Sequence, residues 1–266
     1  MNKPISIILP TYRESNYLNI CLESIVKGQV NINQIIVIVD GFYQENKEVL
    51  DRWKDKIDTV NLEENVGFCR AVNIGVANAK HDLILIVNDD NVFPSKFDSR
   101  LLADYKEGMV LSVNQIEPFQ SIYPQFYIKD LGRNSKTFDL SNFCEEENMI
   151  SMTYGRQKGG VDNTGSLLPI LLNKYDFLKV GGFDIEYPRT GSVADYDILL
   201  KLTMCGHQMM RTYNVHLYHF VTGTSNTPEA VLKRQQDEQQ GWAYSQYKWG
   251  ARIINDPYTN KKYLAS

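Results

Sequence analysis

The residues with the clearest capacity for chemistry are Asn88, Asp89 and Asp90. With Asn91 they close the run Leu83-Ile-Leu-Ile-Val-Asn-Asp-Asp-Asn. Five consecutive apolar residues predict a strand buried on both faces. A strand that stops abruptly in acid must deliver it to an edge or a cleft, because a buried unpaired carboxylate is too costly. Adjacent hard oxygens at such a place suit Mg2+ or Mn2+, above all an ion that also holds substrate phosphates. A simple turn is the plainer alternative, since Asn and Asp favour turns in any case.

The elements that must position these groups alternate. Strands are predicted at Ile5 to Leu9, Ile35 to Val39, Thr59 to Leu62, Leu83 to Val87 and Val110 to Val113. Helical spacing lies between them, at Tyr17 to Val26, from Val49 to Ile57, from Asn65 to Ala79 and from Phe97 to Tyr105. Such alternation predicts βαβ units on a parallel sheet. Right-handed crossovers then bring the strand ends Thr11, Asp40, Asn65 and Asn88 to Asp90 to one edge. The crevice beyond those ends is where open α/β sheets bind ligands. The stretch 117–162 is less regular and reads as an insertion, its Glu145-Glu146-Glu147 run as a solvated face. A short helix from Tyr175 to Val180 ends at Gly181-Gly182, a helix C-cap on its own terms. A further helix follows from Val193 to Met204, then a strand from Met209 to Tyr218. Thr227 as N-cap and Pro228 open a last helix to Trp249, polar in its middle and aromatic at its end.

Composition excludes several classes. The 266 residues suffice for one large domain or two small ones, and 43% hydrophobic with 23% charged residues is an ordinary globular balance. A net charge of −4 gives no sign of a polyanion binder and argues against a nucleic-acid partner. Cys21, Cys69, Cys144 and Cys205 are far apart, which suits reduced thiols in the cytosol. No signal peptide is evident, and no apolar run approaches the roughly 18–20 residues of a membrane span. The expectation is a cytoplasmic protein whose membrane contact, if any, is peripheral.

Several stretches in order carry a resemblance. They are Ser6-Ile-Ile-Leu-Pro-Thr-Tyr-Arg-Glu, Asn65-Val-Gly-Phe-Cys-Arg-Ala-Val-Asn-Ile-Gly, Val87-Asn-Asp-Asp-Asn, Gly181-Gly-Phe-Asp and Ala194-Asp-Tyr-Asp-Ile-Leu-Leu-Lys. Over residues 4–222 the chain resembles the family 2 glycosyltransferases with the GT-A fold. The resemblance implies an α/β, Rossmann-like domain over 1–222, with a mostly parallel central sheet and helices on both faces. Residues 117–162 would lie on the acceptor side, and 223–266 would form a C-terminal helical extension. It implies inverting transfer of a sugar from a nucleotide-diphosphate donor, expected to be a UDP-sugar, to a saccharide or other hydroxyl acceptor. It also implies a divalent metal, Mn2+ or Mg2+.

The resemblance assigns roles position by position. Pro10, Thr11, Tyr12 and Glu14 match the nucleotide-side loop, and Asp40 the second-strand acid that meets base or ribose. Asn65, Gly67 and Arg70 match positions flanking the nucleotide, with the helix start near Gly67 favouring an anion. Asn88, Asp89 and Asp90 match the D-x-D motif, with Asp90 as the direct metal ligand. Asp184 falls in a loop near acceptor and donor sugar. Asp195 matches the catalytic base; the Glu that usually precedes it is Ala194 here, while Asp197 is kept. His219 matches a late histidine that completes the metal site.

Plainer readings stand beside these. Asp195 is also a first-turn acid favoured by the helix dipole. His219 could be a satisfied structural histidine, with His216 a near competitor, and Arg70 a surface ion-pair partner. Trp242 and Trp249 read as core or homodimer contacts. A nucleotidyltransferase would need a Gly- and Lys-rich phosphate loop, which Pro10-Thr-Tyr-Arg is not. A nucleotide-sugar-binding protein that has lost catalysis is the alternative, supported by Ala194.

Overall fold

The continuous apolar runs form the centre of a mixed sheet of ten strands. The computed structural model describes residues 3–13, 15–31, 33–119, 125–165, 168–221, 228–255 and 262–265. In chain order the elements are β1 (Ile5–Thr11), α1 (Ser15–Gly28), β2 (Gln34–Asp40), α2 (Tyr43–Trp53), β3 (Asp58–Leu62), α3 (Phe68–Ala77), β4 (Leu83–Ile86), β5 (Asn91–Val92), α4 (Phe97–Asp104) and β6 (Met109–Glu117). There follow β7 (Tyr127–Ile128), α5 (Leu140–Ile150), one π-helical turn (Ser151–Gly155), β8 (Val161–Asp162), β9 (Ile170–Asn173), α6 (Lys174–Lys179), α7 (Ala194–Met204), β10 (Gln208–His219), α8 (Pro228–Trp249), β11 (Arg252–Asn255) and β12 (Lys262–Ala265).

The sheet order is β3-β2-β1-β4-β9-β6-β10-β5, with β7 on β6 and β8 on β10. The β3-β2-β1-β4 half is parallel throughout. β1, β2 and β4 are buried throughout and read as largely apolar runs because both faces are covered, while β3 at the edge is mostly exposed. Ile5, Ile7 and Leu9 of β1 enter one core with α1, α2 and α4. Ile8 enters the other with α3, α6 and α7. α3 sits directly on the sheet: a Cβ on Gly75 would come within 2.7 Å of both Ile38 and Ile8.

The second half departs from the expected pattern. β6 does not pair with β4, because β9 lies between them and is antiparallel to both. Four residues are too few to show a period, and both partners are remote in sequence. The expected solvated run 145–147 is also corrected. Glu146 pairs with Lys129, and Glu147 is completely buried against Arg100, whose guanidinium donates to both its oxygens at 2.8 Å. The run lies on α5, and burial of one member is possible because α4 brings its cation. The expected C-terminal extension is a helix followed by an antiparallel two-stranded ribbon, β11 with β12. Its helix is part of the main body. Trp242 packs edge-on against Tyr196, and the Trp249 indole donates to Asp197. The expected cap Thr227 lies outside the described residues. Among the described residues no helix is long and apolar enough to cross a membrane.

Candidate active site

The ends of β1, β2 and β4 open into a cleft of about 900 Å3 that is also lined by the end of β10 and by Lys233 of α8. Pro10, Thr11, Tyr12, Asp40, Asn65, Asn88, Asp89, Asp90 and His219 all line it. Nine positions singled out in the sequence therefore meet on one surface. Gly67, Arg70, Asp184 and Asp195 are not part of its wall. Glu14 lies outside the described residues.

Register explains the meeting of Asp90 and His219. After β4 the chain turns through Asn88 to Asp90, and β5 pairs antiparallel with the end of β10, setting His219 opposite Asn91. The Phe220 amide donates to the Asp90 carbonyl, which fixes the pair further. His219 Nε2 then lies 3.4 Å from Asp90 Oδ2, while its Nδ1 lies 3.2 Å from Glu117 Oε1. Burial alone would lower the imidazole's proton affinity. The Asp90 carboxylate, with Glu117 behind it, more than reverses this and pushes His219 up to about 10. Glu117 was missed in the sequence. It ends a buried strand in acid, but Asn114 and Gln115 interrupt the apolar run before it, so the strand predicted from sequence stops at Val113. A carboxylate on the second ring nitrogen is the arrangement that fixes a metal-binding imidazole.

The donor set fits one kind of metal site and not another. Two ligand atoms 3.4 Å apart can share a cation with bonds of about 2.0–2.2 Å. Among the described residues no group of three His, Cys, Asp or Glu could enclose one. The pair therefore suits an ion completed by substrate oxygens and water, as Mg2+-type sites with phosphates are. Asp89 is held otherwise, its Oδ2 accepting from the Thr11 hydroxyl at 2.7 Å.

Asp40 acts on the protein's own backbone. Its carboxylate accepts from the Val66 and Gly67 amides at 2.6 and 3.0 Å. Burial pushes its acidity down, opposed by these two amides and by Arg189. The Phe68 amide donates to the Arg189 carbonyl at 2.8 Å. Three successive amides at the start of α3 are thus already used, so the anion site expected near Gly67 is closed by the protein itself. Gly67 is required there: its φ is +91°, and a Cβ would meet Arg189 at 2.9 Å. Arg70 is exposed outside the cleft. Asn65 does offer something to a ligand, because its buried Oδ1 has no hydrogen-bond partner. Tyr12 and Phe42 meet edge-to-face at 5.2 Å on the cleft wall, with the Arg13 guanidinium over both rings.

Asp195 stands half-buried in the first turn of α7. The loop that leads into that helix carries Arg189 and Thr190, which do line the cleft. Asp184 is turned to α8, accepting from the Tyr244 hydroxyl at 2.9 Å and from Lys248 at 2.7 Å. Asn73 braces the same loop through both its amide atoms to the Phe183 backbone. Arg189 and Lys233 are the cleft cations that sequence reasoning missed. Neither sits at a strand end, and Lys233 belongs to a stretch that reads as the polar middle of a helix.

Comparison with known proteins agrees with this geometry. The profile of glycosyl transferase family 2 matches residues 6–156. The UDP-Gal:alpha-D-GlcNAc-diphosphoundecaprenol beta-1,3-galactosyltransferase of Escherichia coli is 30% identical over 203 residues, covering 74% of this chain and 66% of that protein. Glycosyltransferase GlyG of Streptococcus pneumoniae serotype 4 is 25% identical over 199 residues, 70% of this chain. The chain spans 64% of the length of GlyG. Among solved structures, the mannosyltransferase PcManGT from Pyrobaculum calidifontis in complex with GDP-Man and Mn2+ superposes with a TM-score of 0.60 at 13% identity, covering 92% of this chain and 64% of that one. GalNAc-T7 with UDP, GalNAc and Mn2+ gives 0.57 at 13%, covering 82% and 44%. At these identities the likeness is one of fold, and that fold is GT-A.

Proposed function

Because the chain belongs to glycosyl transferase family 2, we propose that it moves a sugar from a nucleotide-diphosphate donor to an acceptor hydroxyl with inversion. The observation that carries this is the pairing of Asp90 with His219 in a cleft whose wall also carries the acids Asp40, Glu63, Glu64 and Asp89 against the cations Arg189 and Lys233. A wall this acidic repels a diphosphate unless a cation stands between them. Asp90 and His219 would hold Mn2+ or Mg2+, the imidazole favouring Mn2+. Such an ion neutralises charge that builds on the leaving diphosphate. Glu117 keeps His219 aimed at Asp90. Tyr12 and Phe42 suit the face of a nucleobase. Asn65, on the same wall, carries a buried and unpartnered Oδ1 that would accept from an N–H or hydroxyl of the nucleoside if its side chain turned to the cleft.

Asp195 takes the proton of the acceptor hydroxyl while its oxygen bonds to the anomeric carbon and the bond to the diphosphate oxygen breaks. One displacement inverts the centre. A UDP-sugar donor and a saccharide acceptor are supported by the Escherichia coli relative, whose name specifies UDP-Gal and a diphosphoundecaprenol-linked GlcNAc. Acceptor choice would lie with the 117–162 insertion and α8, since loops on a rigid scaffold carry specificity.

The alternative of a binding protein without catalysis rested on Ala194. That residue opens α7 and is completely buried in the apolar core. Ala194 suits those apolar surroundings, where an unpaired Glu would bury a charge, and this supports reading it as a packing residue. The test is release of nucleoside diphosphate from a panel of UDP- and GDP-sugars with Mn2+ or Mg2+. Turnover is expected with a UDP-sugar, and Asp195→Asn should lower it by about 1,000-fold or more with the fold intact. Full turnover in Asp195→Asn would refute the assignment of the base.

A further inference from the structure

α8 ends on a charge cluster that lies outside the cleft. Lys248 Nζ is 2.7 Å from Asp184 Oδ2 and 2.8 Å from Asp197 Oδ1. The Trp249 indole donates to Asp197 Oδ1 at 2.9 Å, and the Tyr244 hydroxyl to Asp184 Oδ2 at the same distance. Lys201, one turn further along α7, approaches Asp197 Oδ2 at 3.4 Å. Asp197 is completely buried. Two carboxylates on separate segments therefore share one ammonium, partly exposed on the Asp184 side and sealed from water on the Asp197 side. Removing that ammonium leaves like charges facing each other in a medium of low polarity.

The position of the cluster gives it a consequence. Asp197 lies in the same first helical turn as Asp195. That turn begins at Val193, whose φ of +71° is a conformation that β-branched residues avoid, and no side chain caps it. Such a conformation persists only where its surroundings over-determine it. α8 provides the constraint at two points. A Cβ on Gly241 would meet the Ser192 carbonyl at 2.6 Å and the Val193 side chain at 3.0 Å, so the helix backbone rests directly on the turn. About two turns later on the same helical face, Lys248 and Trp249 grip Asp197.

We propose that Lys248 is a positioning residue for the transfer reaction: by tying Asp197 and Asp184 to α8, it sets the first turn of α7 and with it the aim of Asp195. This rests on Asp195 being the base. Lys248, Asp184 and Asp197 line no part of the nucleotide cleft. Loosening the clamp should therefore slow turnover while nucleotide binding holds.

The test uses the full chain and four variants: Lys248→Met, Lys248→Arg, the double variant Lys248→Met with Asp184→Asn, and Asp195→Asn. Each is assayed for melting temperature, for UDP affinity in Mn2+, and for kcat on the UDP-sugar that the unaltered protein turns over fastest. Lys248→Met should lose at least about ten-fold in kcat with UDP affinity within about three-fold, since a misaimed group costs rate and not ground-state binding. Lys248→Arg should recover most of the loss. If Lys248→Met does not fold, the double variant decides, because Lys201 then balances the one remaining carboxylate. It should melt normally and still show the loss in kcat. A kcat within about two-fold of the unaltered protein in either folded variant overturns the proposal, as does a loss of UDP affinity that matches the loss of kcat. Full turnover in Asp195→Asn overturns both the base and its positioning. Loss there with normal turnover in Lys248→Met overturns the positioning alone.

Discussion

His216 and His219 are near neighbours on β10, and they settle into opposite states. His219 is pushed up to about 10, with burial overcome by Asp90 and Glu117. His216 is brought down to about 3 by burial first, then by Arg100 and Arg211. Both have a carboxylate at hand, since Glu147 Oε1 lies 3.9 Å from His216 Nδ1. The difference is what else holds that carboxylate. Glu147 is gripped by both arms of Arg100 and also accepts from the Ser151 hydroxyl and the His216 amide. Among the described residues, Asp90 and Glu117 have no Lys or Arg at ion-pair distance. A buried acid with its own cation belongs to the structure. A pair of acids that share a single imidazolium, with Asp90 and His219 on the cleft wall, is a place where a cation brought from outside can take the position of the imidazole's proton.

That contrast can be broken first at Arg100. Arg100→Met leaves Glu147 buried and unpaired, which should cost about 3–5 kcal/mol of stability in urea denaturation. It should also raise the titration midpoint of His216 by NMR, bringing it towards the state of His219. An unchanged stability and midpoint would mean that the cation is not what separates the two histidines.

Glu117→Gln acts on the other side of the comparison. It keeps the shape of the side chain and removes the charge behind His219. Metal-dependent nucleotide binding should weaken by about 10–100-fold, with little change in melting temperature. Equal metal affinity in the variant would show that Glu117 does not orient the imidazole.

A third effect is one of pH, spread over several units. His216 titrates at about 3 in the folded protein and near 6.5 when unfolded. Below that ordinary value the unfolded chain takes up a proton that the folded state refuses. Stability from this group should therefore fall as pH drops from about 6.5 towards 3, by at most about 1.4 kcal/mol per unit. Urea denaturation at several pH values should show a shallower slope for His216→Gln. Identical slopes would argue that His216 is protonated in the fold.

Much of the donor side was legible in the sequence. β1, β2 and β4 announce themselves because both faces are buried, and their polar ends point to the cleft that the fold indeed forms. His219 was distinguishable from His216 only through the order of motifs, because type and spacing are the same for both. What stayed hidden depends on partners far along the chain. Glu147 reads as a surface acid until Arg100, 47 residues away, is folded against it. Asp184 reads as a site residue until Lys248, 64 residues away, reaches it. β9 is too short to declare a period and pairs only with remote strands. Glu117 also ends a buried strand, but Asn114 and Gln115 break the apolar run that would have announced it.

The most direct test of the central claim, that Asp90 with His219 holds a cation for a nucleotide diphosphate, is calorimetric titration of UDP into the full chain. It is run with Mn2+ and again with a chelator, for the unaltered protein and for Asp90→Ala. The unaltered protein should bind UDP at least about ten-fold more tightly with Mn2+, and Asp90→Ala should show no such dependence. Equal UDP affinity with and without Mn2+ in the unaltered protein, or undiminished Mn2+ dependence in Asp90→Ala, would contradict it.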